Sequence, residues 1–342
     1  MKGNDGKAAR KMFIKNFIIK STLTMVIFYI LYSLTHKDLT NENSSMSISK
    51  KQIHGGLESK FQLKVDESDE GMDLIIKGKV HLIDLHISRK SLSESNGDTS
   101  YSDVIGIFCK LDWKKHKEDP SHIPMFRDLV AKSEDCSNGI RANLRSVIKS
   151  VKDYDNSEGF ASDVKALKPA GFVFHESRCG STLVANSLAA FNPEKSRVYS
   201  ESTPPVTVLR ACSKSEDCSN TKQIDLFRDV LYIMGRTNDL NEEFLFFKFQ
   251  SVSTLFINIV RSSFPQVPWI FVYRDPTEVL MSHIGNSNLR GAVCLRTKKS
   301  PMQETKDLLK LYGNTSSKAT SEEFCAAYLV SNILLGFCYD SN

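Results

Sequence analysis

The sequence predicts an α/β protein with a mostly parallel central sheet. Two stretches support this prediction, because each passes from a short apolar run of β type into a helical pattern. The first covers 171–189 and the second covers 269–282. In the second, Trp269–Tyr273 is continuously apolar, as is typical of parallel strands covered on both faces. With 41% hydrophobic residues among 342, the chain can form one large domain or two ordinary ones.

The formal net charge of +5 makes the chain mildly basic. This charge suits an anionic ligand but is well below that of a nucleic-acid-binding domain, so no nucleic-acid partner is expected. The eight cysteines are scattered, without a CxxC pair or a Cys/His spacing typical of zinc, so no metal site is expected either. Cys212 and Cys218 are close enough to form a disulfide in an oxidising compartment, and free buried thiols are the equal alternative.

Residues 1–36 predict a short cytoplasmic tail followed by a signal-anchor helix. Basic residues precede an apolar run from Phe17 to Leu34, which is interrupted by Lys20 and a few hydroxyl residues. A helix of that length can cross a bilayer core of about 30 Å. The positive N-terminal flank predicts a single-pass type II protein whose remainder is lumenal. A cleaved signal peptide, a transit peptide and a buried helix are the alternatives.

The chain between the anchor and the α/β domain divides into two parts. Residues 37–58 are rich in Ser, Asn, Lys and Thr and predict a flexible stem. Residues 59–160 predict a small α+β region of unknown role. Its predicted elements are strands at 61–65, 74–76 and 80–87 and mostly helix over 104–150. Glycosylation sequons begin at Asn43 and Asn314, and they matter only if the chain is lumenal.

Residues 161–342 predict the α/β domain, and its first loop suits an anion. Phe172–Phe174 predicts a strand, 178–182 a small polar loop that contains Gly180, and the following residues a helix. At such a junction unpaired backbone N–H groups point at one spot, where the positive end of the helix dipole adds to their attraction. The loop therefore predicts a phosphate or phosphosulfate site.

Other polar side chains follow the later predicted strands. The strand Ser196–Ser200 leads to Glu201, and Lys248 lies near the end of the apolar run 244–250. Since ligands of open α/β sheets bind beyond the carboxyl ends of the strands, we expect these side chains to lie near the loop.

The junction after Trp269–Tyr273 predicts a second anion site. Asp275 suits a helix N-cap, with Pro276 and Glu278 at the first and third helical positions. Arg274 precedes this helix, and Ser282 lies two turns along it on the same side as the cap. The two side chains can therefore hold one anionic group between them.

These two motifs resemble the co-substrate site of the sulfotransferases that use 3′-phosphoadenosine 5′-phosphosulfate (PAPS). The strand followed by Arg178-Cys-Gly-Ser-Thr-Leu183 is similar to their 5′-phosphosulfate-binding loop. The segment Arg274-Asp-Pro-Thr-Glu-Val-Leu-Met-Ser282 is similar to their 3′-phosphate-binding strand and helix, which supplies an arginine and a serine eight positions apart. The motifs stand in the family's order, about 95 residues apart.

The resemblance implies a P-loop-like three-layer fold with a mostly parallel central sheet, preceded by the α+β region and the membrane anchor. It implies PAPS as co-substrate, no metal, and transfer of a sulfuryl group to a hydroxyl of a carbohydrate, a protein tyrosine or a small molecule. Golgi-type members, among them the protein-tyrosine sulfotransferases, imply a lumenal Golgi location and a general base at Glu201. The residues implied to bind PAPS are Arg178, Cys179, Gly180, Ser181, Thr182, Leu183, Arg274 and Ser282.

Two further catalytic roles follow from the charges. Arg178 and the loop N–H groups are placed to stabilise charge on the departing phosphate, and Lys248 can reach the transferring group. A surface lysine whose stem lies on apolar neighbours is the alternative for Lys248. His175 is a second candidate for base or charge stabiliser, with a hydrogen-bonded strand histidine as its alternative. Cys179 is expected to be a packing residue.

Three departures from the family leave alternatives open. The segments that bind the adenine downstream of the helix motif have no match in this chain. The loop has Arg178 where many cytosolic sulfotransferases have lysine, although the arginine form resembles the Golgi group. The resemblance covers 168–290 and is weak over the last fifty residues, where the chain ends soon after a helix predicted over Glu322–Phe337. The alternatives are a kinase-like or NTPase-like P-loop protein, against which the missing lysine before Ser181 counts, and an inactive membrane-anchored pseudoenzyme that binds an adenine nucleotide or a glycan.

Overall fold

A computed structural model describes residues 68–88, 90–94, 100–136, 139–157, 163–213, 217–284 and 293–338. These residues belong to one compact unit, Gln62–Asn342, with a mixed α/β fold that contains a four-stranded parallel sheet. The predicted tail, signal-anchor helix and stem lie outside the described residues. None of the helices described is both long and apolar enough to cross a membrane.

The first part of the described chain is an antiparallel sheet flanked by helices. Its strands pair in chain order: β1 (His81–Ile87), β2 (Val104–Cys109) and β3 (Ile140–Asn143). Its helices are α1 (Asp69–Ile76), α2 (Trp113–Glu118), α3 (Phe126–Lys132) and α4 (Leu144–Asp155).

Two predictions for this part are wrong. The segment 74–76 was expected to be a strand but ends helix α1, which begins where the Ser68 hydroxyl accepts a hydrogen bond from the N–H of Gly71. The segments 104–109 and 140–143 were expected to be helical but form the paired strands β2 and β3. Alternate residues of β2 are buried, as they are in a strand with one covered face. The strand at 81–87 agrees with the prediction, and the segment 61–65 lies outside the described residues.

The second part contains a short ribbon and the central sheet. The ribbon pairs β4 (Lys165–Ala166) with β7 (Arg236–Thr237). The central strands are β5 (Pro169–His175), β6 (Ser196–Ser200), β8 (Phe244–Lys248) and β9 (Trp269–Val272), in the order β6-β8-β5-β9. All neighbouring pairs are parallel, which confirms the predicted parallel sheet and brings the carboxyl ends of the strands to one edge.

Helices follow and cover these strands. They are α5 (Ser181–Phe191), α6 (Thr203–Arg210), α7 (Asn220–Met234), α8 (Ile257–Ser263), α9 (Pro276–Ile284), α10 (Val293–Thr297), α11 (Gln303–Leu311) and α12 (Ser321–Cys338). The helix predicted over Glu322–Phe337 is confirmed as α12. The expectation that Trp269–Tyr273 is covered on both faces is wrong, because Ile270 and Tyr273 are 50% and 47% exposed.

One apolar core joins the two parts. The face of the central sheet that carries Tyr199 and Phe247, two rings stacked 5.2 Å apart, packs in the same cluster as Phe108 of β2 and Val147 of α4. On the opposite face, Ala185 of α5 packs against the sheet. A domain boundary near residue 160 stays a prediction, but core residues on both sides of it share this cluster.

Three disulfides cross-link the described residues: Cys109–Cys136, Cys212–Cys218 and Cys294–Cys325. Of the two alternatives for Cys212 and Cys218, a disulfide or free thiols, the structure therefore has the disulfide. The Cys294–Cys325 bond joins α10 to α12 inside a separate cluster that also contains Val279 of α9. Cys179 is buried and free.

Candidate functional site

The carboxyl edge of the central sheet brings the predicted site residues together. The loop 176–180 follows β5, Glu201 follows β6, Lys248 ends β8, and Arg274 lies two residues beyond β9. Because all four strands are parallel, these positions share one edge. This is where ligands of α/β sheets bind, which is the placement expected from the sequence.

The loop after β5 is shaped by two residues with a left-handed backbone. Arg178 has φ of 67° and Gly180 has φ of 89°, and a side chain added at Gly180 would meet nothing within 4 Å. Gly180 precedes α5 and forms no side-chain cap, and the N–H of Leu183 donates to the Gly180 carbonyl over 2.9 Å. The helix start can therefore still offer an N–H group, such as that of Thr182, to another acceptor. Ser181 is buried at the helix start, while Leu183 is largely exposed. Such a helix start attracts an anion.

A direct hydrogen bond joins the two predicted anion motifs. The Nε of Arg178 donates to the Oγ of Ser282 on α9 over 2.8 Å. The Arg274 guanidinium instead forms an ion pair with Glu278, one turn further along. The structure therefore brings Ser282 to Arg178, and joint binding of an anion by Arg274 and Ser282 stays a prediction.

The start of α9 is built as the sequence predicts. The Oδ1 of Asp275 accepts hydrogen bonds from the N–H groups of Thr277 over 2.9 Å and Glu278 over 3.2 Å, and Pro276 is the first helical residue. This cap fixes where the helix begins and hence where Ser282 lies, close to two turns later.

Glu201 and Lys248 form an ion pair at the ends of the adjacent strands β6 and β8. Glu201 has a left-handed backbone with φ of 58°, and its N–H donates to the Lys248 carbonyl over 2.7 Å. The Lys248 side chain is 0% exposed, whereas that of Glu201 is 27% exposed. Lys248 is therefore not the surface lysine of the alternative interpretation, and Glu201 is the member of the pair that solvent reaches.

His175 lies beneath this pair, and both of its ring nitrogens contact backbone oxygens. Its Nδ1 is 2.7 Å from the Glu176 carbonyl oxygen, and its Nε2 is 2.9 Å from that of Phe249 and 3.6 Å from Oε1 of Glu201. Burial, and then the charge of Lys248, lower the pKa of His175 to about 4. The neutral ring donates to only one of these oxygens, so His175 has the contacts of a packed strand histidine.

Glu176 is the residue of this site that the sequence analysis missed. Its side chain is 0% exposed, and its Oε1 accepts a hydrogen bond from the backbone N–H of Arg274 over 2.6 Å. The thiol of Cys179 donates to its carbonyl oxygen over 2.9 Å. Burial raises the pKa of Cys179, which keeps it a thiol and agrees with the predicted packing role. An acidic residue inside a loop that is predicted to bind an anion is the signal that could have drawn attention to Glu176.

A cleft of about 860 Å³ lies at the other edge of the sheet. It is lined in part by Trp113, Arg197 and Glu242, which lie by the amino ends of β6 and β8. Arg197 and Glu242 form a buried ion pair of 2.7 Å, and none of the predicted site residues lines this cleft. Over the described ranges, no group of three or more His, Cys, Asp or Glu side chains is arranged to hold a metal ion.

Comparison with known proteins gives no relative for this chain: no family model matches it, and neither does any curated protein or solved structure.

Proposed function

We propose that the protein is a sulfotransferase that transfers a sulfuryl group from PAPS to a hydroxyl acceptor. The observation that carries this proposal is the bond between Arg178 and Ser282, which ties two anion-binding motifs together beside the ion pair of Glu201 and Lys248. A ligand with two separate phosphate groups suits two linked anion sites. The finer fold, a P-loop-like three-layer arrangement, is part of the proposal and is supported by the parallel sheet with helices on both faces.

In this proposal PAPS spans the two motifs. The loop N–H groups of 179–183 and the Arg178 guanidinium hold the 5′-phosphosulfate at the uncapped start of α5. Arg274 and Ser282 hold the 3′-phosphate. Arg274 would exchange its exposed contact with Glu278 for the phosphate, and an exposed ion pair of this kind contributes little to stability.

The transfer step assigns one role to each charged residue. Glu201 accepts the proton of the acceptor hydroxyl, whose oxygen forms a bond to sulfur as the bond from sulfur to the bridging phosphate oxygen breaks. The electron pair of that bond stays on the phosphate of the departing nucleotide. Arg178, Lys248 and the loop N–H groups stabilise the charge that develops there, in a site where Lys248 is already desolvated.

The disulfides support the proposed location. Disulfides persist in oxidising compartments and are rare in the cytosol, so three of them favour a lumenal protein. We therefore propose a type II membrane protein of the Golgi, anchored by the segment 17–34, with its α/β domain in the lumen.

A second candidate is a pseudoenzyme that binds an adenine nucleotide without turnover. It is favoured by the pairing of Glu201 with Lys248, because the ammonium occupies the carboxylate oxygen Oε1, which would have to accept the proton of the acceptor hydroxyl. The glutamate variant of the test below separates this candidate from the enzyme.

The test is calorimetry of the full chain with PAP, the desulfated nucleotide, against ATP with Mg²⁺. We expect PAP to bind and Arg274→Ala to weaken it about 10-fold to 100-fold, the value of one charge-assisted hydrogen bond. Arg127→Ala, which removes an exposed arginine outside the site, is the matched control. Unchanged PAP binding after Arg274→Ala, or preference for ATP with Mg²⁺, would overturn the site assignment.

Sulfate transfer from PAPS is measured on the same preparations. Glu201→Gln should retain PAP binding and lose transfer by about 10²-fold to 10⁴-fold, as expected on removal of a general base. Retained transfer would show that Glu201 is not the base. A wild-type protein that binds PAP but transfers no sulfate to carbohydrate, tyrosine-peptide or small phenol acceptors would favour the pseudoenzyme.

A further inference from the structure

Glu176 is a carboxyl group buried without a countercharge inside the anion-binding loop. Its side chain is 0% exposed. Its Oε1 accepts the N–H of Arg274, but its buried Oε2 has no hydrogen-bond partner. No cation of the described residues lies within ion-pair distance of it, although Arg178 is only two positions along the same loop. The charged state of this group has to be stabilised by the Arg274 N–H alone.

The uncharged acid is the form that fits these surroundings. A buried carboxylate without a cation costs several kcal/mol, whereas a buried neutral hydroxyl without a partner costs about 1–3 kcal/mol. Burial, together with the negative charge of Asp275, raises the pKa of Glu176, and only the Arg274 N–H opposes them. Because Oε1 already accepts a hydrogen bond, the proton belongs on Oε2.

The groups that face Glu176 come from two elements. On its own loop they are the Cys179 thiol, which burial keeps protonated, and the His175 ring, which contacts the Glu176 carbonyl oxygen. From the junction of β9 and α9 they are Asp275, which caps the helix, and the backbone of Arg274. Neither element supplies a cation that could balance an ionised Glu176 carboxylate.

We propose that Glu176 is a protonated positioning residue, and that the loop binds its anion only together with this proton. The side chain bridges the loop after β5 to the junction that carries Arg274, so it holds the two anion motifs in register. Ionised, it would place a negative charge within the loop whose N–H groups are to hold a phosphate. The inference deepens the proposed function and rests on it for the identity of the anion.

The proposal fixes the direction of the pH dependence. Below the pKa of Glu176 the site is competent, and as the pH rises through that value the competent fraction falls and anion binding weakens. One pH unit above it, about a tenth of the molecules carry the proton, so wild type should bind about tenfold more weakly than a variant that is always neutral. Anion binding should in turn raise the pKa of Glu176 and take up protons.

The test compares wild type with Glu176→Gln, which keeps the size and the Oε1 acceptor but cannot ionise. PAP affinity of the full chain is measured by calorimetry between about pH 5 and pH 8, in buffers of different ionisation enthalpy. We expect Glu176→Gln to bind PAP more tightly than wild type at the alkaline end, with less proton uptake on binding. Groups that titrate in both proteins, including the phosphates of PAP, cancel in the comparison. Glu243→Gln, an exposed glutamate of a surface ion pair, should keep the wild-type profile.

Two results would overturn the proposal. One is a pH profile of Glu176→Gln that is parallel to that of wild type. The other is weaker PAP binding by Glu176→Gln at every pH, which would mean that the site needs the carboxylate. If the variant does not fold, difference infrared spectroscopy of wild type at the alkaline end of this pH range, with and without inorganic sulfate, decides. A carboxylic acid band that sulfate strengthens supports the proposal, and its absence contradicts it.

Failure of the proposed function can be recognised separately. Wild type that binds no PAP at any pH would reject PAPS as the ligand. Whether Glu176 is protonated is then tested by measuring the unfolding of the ligand-free protein in denaturant at two pH values. A raised pKa makes the folded state lose stability as the pH rises above the unfolded value, so Glu176→Gln should stabilise the protein at pH 8 more than at pH 4. An equal effect at both pH values would reject the protonated acid.

Discussion

The charge balance of the site depends on two side chains that differ in their access to water. Lys248 has no exposed side-chain surface, so Glu201 supplies the negative charge that its ammonium needs. Glu201 itself keeps 27% of its side chain exposed and can turn to solvent or to an acceptor hydroxyl. The left-handed backbone of Glu201 makes this possible, because it turns the chain sharply at the end of β6. Backbone conformations of this kind are common in functional sites.

This asymmetry predicts unequal costs for removing either partner. Glu201→Gln leaves a buried ammonium unpaired and should lower the free energy of unfolding by about 3–5 kcal/mol. Lys248→Met leaves a carboxylate that can reach water, so it should cost clearly less. The two variants are compared by urea unfolding at neutral pH, with Lys195→Met as control for an exposed lysine of an ion pair. A larger loss for Lys248→Met would mean that the exposure of the pair is misjudged.

The helix α9 owes its position to elements on both of its sides. Its start is capped by Asp275 after β9, and its buried Val279 packs in the cluster that the Cys294–Cys325 disulfide holds together. Because Ser282 lies on this helix, the disulfide contributes indirectly to the contact between Ser282 and Arg178. The last helices thus support the second anion motif.

Removal of this cross-link should destabilise the fold and loosen the site. The bond closes a loop between residues 31 positions apart, for which chain entropy gives about 3–4 kcal/mol. The double variant Cys294→Ser/Cys325→Ser should lose about that much unfolding free energy and bind PAP more weakly. Cys212→Ser/Cys218→Ser, whose loop spans 6 positions, is the control and should cost less and leave PAP binding unchanged. Equal losses for the two pairs would contradict this account.

Local sequence patterns predicted the elements that form the candidate site. The features that they did not predict depend on contacts between residues far apart in the chain. The loop after β5 and the cap at Asp275 depend on neighbours within a few residues, so the local sequence pattern was sufficient to predict both. The strand β2 owes its conformation to pairing with β1 and β3, which lie elsewhere in the chain. The burial of Glu176 depends on Arg274, 98 positions away, and no local pattern indicates such a contact.

The whole molecule should be sensitive to acid because it buries several histidines in the neutral form. Burial lowers the pKa of four described histidines, and in two of them, His116 and His175, to about 4. The four residues are His81, His116, His175 and His283. An unfolded chain takes up these protons near pH 6.5, whereas the folded chain does not. Stability should therefore fall as the pH drops from about 6.5 towards 4.

Two acids, the half-buried Asp84 and the buried Glu176, act in the opposite direction. Burial raises the pKa of Asp84 and of Glu176, so the folded state holds protons on them that the unfolded state has lost. This favours the folded state as the pH falls, and offsets part of the loss caused by the histidines. The fall in stability between about pH 6.5 and about pH 4 should consequently be smaller than the histidines alone would give.

His116→Gln measures one of these contributions away from the site. His116 packs against Trp113 on α2 and contacts none of the proposed PAPS ligands. Unfolding free energies of wild type and variant are determined in urea between about pH 7 and pH 5, and the slope of the variant should be smaller by up to 1.4 kcal/mol per pH unit, the value of one proton. His122→Gln, at an exposed histidine of the same region, is the control. The slope is informative even if His116→Gln lowers stability at every pH, since lost packing does not change with protonation. An unchanged slope would mean that His116 is protonated in the folded protein.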